Sequence, residues 1–272
     1  MHDWEDERMW TDTVSIVEDL LPADWLTSRL TGRPGTVRGT VPHGYAAYAR
    51  LLHPVEYYDG HTQPATWAQV AETTGGHVHD TVQWHSLIGS DDPWTRNTEA
   101  WPDGAPPQGN LALPSLLALC EVLARHTTAP EDCYFAMWSG WGQLSGSRAW
   151  VHMTSDSSSP GVEPSPLLTA REKAAPQVHL PGRDYYLLRG PLSAMTALAQ
   201  YDGRDQVWST QSPNLFWPAD HAWCAGTEID FDSTLVGGTT ETIEAVLRSP
   251  VLESWAIESG ASLQSDGDRI NL

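Results

Sequence analysis

Gln211-Ser212-Pro213-Asn214-Leu215-Phe216-Trp217-Pro218, Ala222-Trp223-Cys224-Ala225-Gly226-Thr227-Glu228-Ile229-Asp230-Phe231 and Thr234-Leu235-Val236-Gly237-Gly238 form the stretch on which the fold turns. From Ala222 to Phe231 the residue types alternate. In an extended chain Trp223, Ala225, Thr227, Ile229 and Phe231 fall on one face and Ala222, Cys224, Gly226, Glu228 and Asp230 on the other, because successive strand side chains point to opposite sides. The first is a core face; the second is small at its start and anionic at its end. Phe231-Asp232-Ser233 can reverse the chain into a partner strand, Thr234-Leu235-Val236, and Gly237-Gly238 allows a sharp exit. Thr239 or Thr240 then caps a helix whose apolar stripe is Ile243, Val246 and Leu247, and Pro250 ends it.

Working outward, Tyr45 to Leu52 reads as a strand, with Arg50 standing in an otherwise apolar run, and Thr36 to Thr40 as another. Cys133 to Trp138 is apolar on both faces and therefore central, and Tyr185 to Arg189 is a further strand. Pro114 opens the clearest helix, Ser115 to His126, and shorter helices are expected at Val14–Leu21, Ala23–Leu30, Thr66–Thr73, Leu192–Tyr201 and Leu252–Glu258. Strands and helices interleave without even βαβ spacing, so the expected class is α+β: a single domain over 13–264 with a mixed, mainly antiparallel sheet packed by helices. It is preceded by a flexible acidic segment, 1–12, and followed by a polar tail, 265–272. Mobile surface loops are expected near 89–110 and 154–166, where Asp, Pro, Gly, Asn and Ser concentrate, with Trp94 and Trp101 holding the first loop down.

The net charge is −20, with eight basic against twenty acidic residues over 1–160 and seven against fifteen over 161–272. Acidity spread in this way repels phosphate backbones and argues against nucleic acid, while favouring a basic partner. No run of residues is long and apolar enough for a membrane span. The acidic start Met1-His2-Asp3-Trp4-Glu5-Asp6-Glu7 is unlike a signal or transit peptide, and Cys120, Cys133 and Cys224 read as reduced, buried hydrophobes, so a cytoplasmic protein is expected. Fourteen tryptophans against three phenylalanines exceed what a core of this size requires, and Trp is favoured at interfaces as well as in cores.

The chemistry-bearing candidates are few. His77 and His79, with His85 beyond, have metal-ligand spacing if extended, although no cysteine completes a zinc set and no cofactor signature is present. Glu228, Asp230 and Asp232 would lie about 7 Å apart along one strand face. Beside Trp217 or Trp223, Glu228 and Asp230 suggest the acid and base of a hydrolase acting on a sugar-like substrate. A charge such as Arg50 amid apolar residues needs an anionic partner. The expected binding site therefore joins the Arg50 strand to the strand of Glu228 and Asp230, with His53, Trp217, Asp220 and Trp223 around it. No G-x-S-x-G elbow or P-loop occurs.

Tyr48-Ala49-Arg50-Leu51-Leu52-His53-Pro54, Asn214 through Trp223, and Thr227-Glu228-Ile229-Asp230 with Val236-Gly237-Gly238 resemble a family of uncharacterised actinobacterial cytosolic proteins. The resemblance runs over most of the chain. It implies one domain and supplies no catalytic residue. Phe135-Ala136-Met137-Trp138-Ser139-Gly140-Trp141-Gly142 is similar to a short segment of SMI1/KNR4-type immunity proteins. With the acidity and the surplus tryptophans, the function expected is a non-catalytic, acidic protein-binding domain of immunity or regulatory type; the alternative is the carboxylate-dependent hydrolase.

Overall fold

The reversal after Phe231 delivers the chain into a strand that pairs along its whole length with the strand carrying Arg50. In the computed structural model, which describes residues 13–60, 62–145, 168–203 and 206–271, these are two of thirteen strands. They are β1 (Ser15–Ile16), β2 (Ala47–Leu52), β3 (Glu56–Tyr57), β4 (Gly104–Ala105), β5 (Cys133–Trp138), β6 (Val178–Leu180), β7 (Arg183–Gly190), β8 (Gln200–Gly203), β9 (Gln206–Thr210), β10 (Leu215–Pro218), β11 (Cys224–Gly226), β12 (Ser233–Gly238) and β13 (Ser254–Ala256). Nine form one sheet in the order β1-β7-β5-β10-β11-β12-β2-β13, with β6 also on β7; β3-β4 and β8-β9 are separate ribbons. Every pairing among the described strands is antiparallel.

Period-2 alternation divides this sheet into two buried faces. Phe135, Met137, Leu188, Phe216, Trp223, Ala225, Val236, Ala49 and Leu51 project to one side. There they meet the helix Leu113–Ala124, which turns Leu116, Leu119, Cys120 and Leu123 inward, and the helix Thr240–Leu247, which turns Ile243 and Val246 inward. Each such aliphatic side chain contributes about 1.5–3 kcal/mol on full burial, and truncating Leu119 to Ala would cost about 2–5 kcal/mol. Tyr134, Ala136, Leu187, Leu215, Trp217 and Cys224 face the other way, under the N-terminal segment that carries Leu26 and Leu30. The chain is thus an α+β domain with an antiparallel sheet covered by helices.

Local chemistry places the helices as expected. Thr66 accepts from the Gln69 amide and Gln69 returns the bond to the Thr66 amide, a capping box that starts Trp67–Thr74, and Gly75 (φ 80°) ends it. Thr239 caps Thr240–Leu247 by accepting from the Thr242 amide.

Four segments differ from expectation, each because a tertiary partner overrides local pattern. The alternation of 222–231 continues, but the strand stops at Gly226. There the Thr227 amide donates to the Asn214 carbonyl, and Phe231 bonds back to the Glu228 carbonyl in a turn. Val14–Leu21 contributes a strand, β1, because the amide of Val17 reaches the Leu187 carbonyl and Ser15–Ile16 pairs with β7. Thr36–Thr40 coils into a helical turn, Val37–Thr40, whose first amide, that of Val37, donates to the distant Ala261 carbonyl at 3.2 Å, with the Thr36 hydroxyl on the Arg33 carbonyl as a local brace. Leu252–Glu258 becomes β13 because the outer edge of β2 offers Leu51, Arg50 and Ala49 for pairing.

Among the loops, 89–110 is tied down: Trp84 Nε1 donates to the Arg96 carbonyl, Thr98 Oγ1 to Ile88, and Gly104–Ala105 pairs with Glu56–Tyr57. Trp101 anchors it as expected, buried and bonded to the Gly104 carbonyl, but Trp94 stands in solvent. The polar tail is docked through the buried Asp268. Segments 1–12 and 154–166 lie outside the described residues.

Candidate functional site

Arg50 is 1% exposed, and its guanidinium is consumed by the protein itself. Its Nε donates to Ser233 Oγ at 2.9 Å, Nη1 to the carbonyls of Val82 (2.7 Å) and Asp80 (3.1 Å), and Nη2 lies 3.5 Å from Asp232 Oδ1. The group also lies over the Trp67 ring at 5.9 Å. One side chain thus joins β2, the start of β12, the 80–82 turn and the Trp67 helix. Burial lowers the Arg50 pKa, opposed by the surrounding carboxylates of Asp232, Asp80 and Asp268. It also pushes the Asp232 carboxyl up, opposed by Arg50, Arg96 and His85. Both partners resist ionising, as expected of an ion pair taken out of water.

His53, three residues on, is fully buried beside this pair. Its Nδ1 must donate, since its partner is the Pro107 carbonyl (2.7 Å), and Nε2 then accepts from Thr234 Oγ1 (3.0 Å). Burial pushes its pKa down to about 4, with Arg50 acting in the same direction and the Pro107 bond against it. The ring is a neutral strut, not a proton shuttle at neutral pH.

Arg50 and His53 are therefore buried close together, and the carboxylate beside Arg50 is Asp232. Glu228 and Asp230 are elsewhere: both contact Arg183 Nη2, at 3.0 and 3.3 Å, while that guanidinium lies 5.4 Å from the Trp138 ring centre. The cause is the early end of β11. The turn lets Glu228 Oε2 accept from the Asp230 amide at 2.7 Å, so the acids no longer share one strand face with Asp232. Asp230 is 73% exposed, so it lacks the apolar wall that holds a glycosidase acid neutral.

The remaining candidates are dispersed. Trp217 is fully buried on the N-terminal side of the sheet, stacked on Tyr134 and edge-on to Trp25. Trp223 is buried on the opposite side with its Nε1 on the Leu123 carbonyl. Asp220 braces a turn, accepting from Thr127 Oγ1, Thr128 and the Ala222 amide. His79 is committed to Asp268 (Nε2–Oδ1 2.9 Å), His85 to Ser86 (3.2 Å), and the His77 backbone to Asn271. Among the described residues no group of three or more His, Cys, Asp or Glu side chains is arranged to hold a metal ion.

Sequence reasoning missed Asp268 and Arg183, and it assigned Asp232 to a turn. The Asp232 signal was available. Once β2 pairs with β12, Leu52 faces Ser233 and Arg50 faces Leu235, so Asp232 and Ser233 lie at the Arg50 end of the ladder. Arg183 and Asp268 depend on docking between distant segments and carried no local signal.

The chain matches no protein-family model, no curated protein and no solved structure. No helix among the described residues is long and apolar enough to cross a membrane.

Proposed function

We propose that this protein is a non-catalytic, acidic protein-binding domain whose partner is a basic protein, of the kind an immunity-type or regulatory inhibitor would be. The observation that carries this reading is the disposition of charge. Four of the fifteen cations are taken up by the protein's own groups: Arg50 by Asp232 and two carbonyls, Arg96 by the Pro106 carbonyl, Arg183 by Glu228 and Asp230, and Arg189 by Asp132. The surplus of 20 negative charges is left to the remaining carboxylates. Such a field accelerates encounter with a cationic surface and rejects anionic ones. The hydrolase alternative loses its support, because its two carboxylates are tied to one arginine and its tryptophans lie in the core.

The test is affinity capture on the immobilised protein over a salt series from about 50 to 500 mM, followed by calorimetry with the purified partner. The expected result is a basic protein retained stoichiometrically at low salt, with affinity falling as salt rises. Absence of any stoichiometric partner at low salt, or a partner of acidic character, overturns the proposal.

A further inference from the structure

We infer that the outer face of the 89–103 loop is the docking surface for that basic partner, and that the indole of Trp94 is the platform for an arginine side chain. This rests on the reading of the protein as an acidic binding domain and adds to it a place and a contact.

Trp94 is 84% exposed, the most exposed of the tryptophans whose side chains are described; the next, Trp255, is 39% exposed. A tryptophan so exposed adds little to a core, yet the chain around it is ordered by hydrogen bonds on both sides. The Trp94 amide donates to Asp92 Oδ1 (3.0 Å), the Asp92 amide to Ser90 Oγ (3.1 Å), and Ser90 Oγ to Thr95 Oγ1 (3.0 Å). Two residues later the Arg96 carbonyl is clasped by the Trp84 indole at 2.9 Å, and Thr98 Oγ1 bonds Ile88 at 2.9 Å. A tryptophan carried on an already ordered backbone leaves little of the loop still to be ordered when a partner covers it.

Charge selects the occupant. Between residues 51 and 124 the sequence has nine carboxylates and one cation, Arg96. That arginine is half-buried and donates inward to the Pro106 carbonyl. Asp91, Asp92, Glu99 and Asp103 are all exposed on the loop. Tyr58, a second exposed aromatic, is held to it through its amide on the Asp103 carbonyl at 2.8 Å. An exposed indole face, with the carboxylates of Asp91 and Asp92 within three positions before it in the chain, attracts a cation through the ring quadrupole. A planar guanidinium can stack on that face while its N–H groups reach a carboxylate, which an ammonium does less well.

The probe is a peptide of alternating arginine and glycine, compared with lysine–glycine and glutamate–glycine peptides, titrated into the full chain at about 50 mM salt. Binding is followed at the tryptophan indole N–H resonances by NMR, with the Trp94 resonance identified as the one absent from Trp94→Phe. The expected result is that this resonance shifts most and that the arginine peptide binds more tightly than the lysine one. Trp94→Ala should weaken binding about tenfold or more, with an unchanged urea midpoint because the side chain is exposed. If the cationic peptides bind wild type and Trp94→Ala equally, or the Trp94 resonance stays still while others move, the placement falls and the acidic-domain reading survives. If no cationic peptide binds, or the glutamate peptide binds as well, both fall.

Discussion

Arg50 Nη2 stands 3.5 Å from Asp232 Oδ1 beneath β2 and β12, with the arginine side chain 2% and the aspartate side chain 17% exposed. The pair crosslinks four segments, and neither member can be removed without stranding the other. Arg50→Ala should lower unfolding free energy by about 3–5 kcal/mol, because Asp232 would remain as a buried, uncompensated carboxyl and Val82 and Asp80 would each lose a donor. Arg50→Met combined with Asp232→Asn should cost less than the sum of the single changes, since two buried charges leave together. Urea denaturation of the four proteins measures this. Additive losses would show that the two side chains are not energetically coupled.

His53 makes stability depend on pH. Its folded pKa of about 4 lies below the ordinary 6.5 because the buried ring has no room for a charge. Above pH 6.5 both states are neutral at this residue and its contribution is complete. As pH falls towards 4 only the unfolded chain takes up the proton, so stability drains away by about 3 kcal/mol. Asp232 and Glu253, pushed up by burial, titrate in the opposite sense. The readout is therefore the difference between wild type and His53→Gln. That difference should shrink steadily from pH 6.5 to 4 in urea titrations, and parallel curves would contradict it.

How far the sequence discloses the site is clearest in this pair. A mid-strand arginine among Ala49, Leu51 and Leu52 demands a buried anion on burial energetics alone, and the anion is there. Its identity follows only once the β2–β12 pairing is known, because alternation of residue types continues beyond Gly226, where the hydrogen-bond ladder ends, and points to Glu228 and Asp230 instead. Asn214 ends that ladder: its Nδ2 donates to the Thr227 carbonyl at 3.2 Å, while its Oδ1 accepts from the Trp138 amide and the Trp141 indole, both at 2.9 Å. These contacts link positions far apart in the chain and leave no local trace. The α+β class, the capped helices and the central strand Cys133–Trp138 were legible because period and capping chemistry are local properties.

Gly109 should tolerate no side chain. Its φ is +71°, and a Cβ there would stand 2.4 Å from the Ile229 carbonyl oxygen, a backbone atom that cannot swing aside. Its amide also donates to Phe231 at 2.8 Å, fixing the turn that carries Glu228 and Asp230 away from Arg50. Gly109→Ala should destabilise by about 2 kcal/mol or more, from left-handed strain plus the clash. It should also raise hydrogen exchange at the Phe231 carbonyl's partner amide. An unchanged melting temperature would mean that the turn relaxes freely.

Asp268 offers the sharpest test of how the C-terminal segment is held. Its carboxylate accepts from His79 Nε2 (2.9 Å), the amides of Gln83 (3.1 Å), Ile270 (2.9 Å) and Asn271 (3.0 Å), and Asn271 Nδ2 (2.9 Å). Burial pushes its pKa up, but the bonds from Asn271, Ile270 and Gln83 outweigh it and hold the group at about 2. A depressed carboxylate contributes stability that is complete above the ordinary 3.8 and is lost as pH falls towards 2, here about 2 kcal/mol. Asp268→Asn presents an NH₂ to an array built only of donors, so it should lose about 2–3 kcal/mol at neutral pH and abolish that acid step. Hydrogen exchange separates local from global effects. If the clasp opens as a unit, the amides of Gln83, Ile270 and Asn271 lose protection together while those of β5 and β10 keep theirs. Retained protection at Ile270 and Asn271 in the variant would place the anchoring energy elsewhere, in the Asn271 contacts to His77 at 2.7 and 2.9 Å.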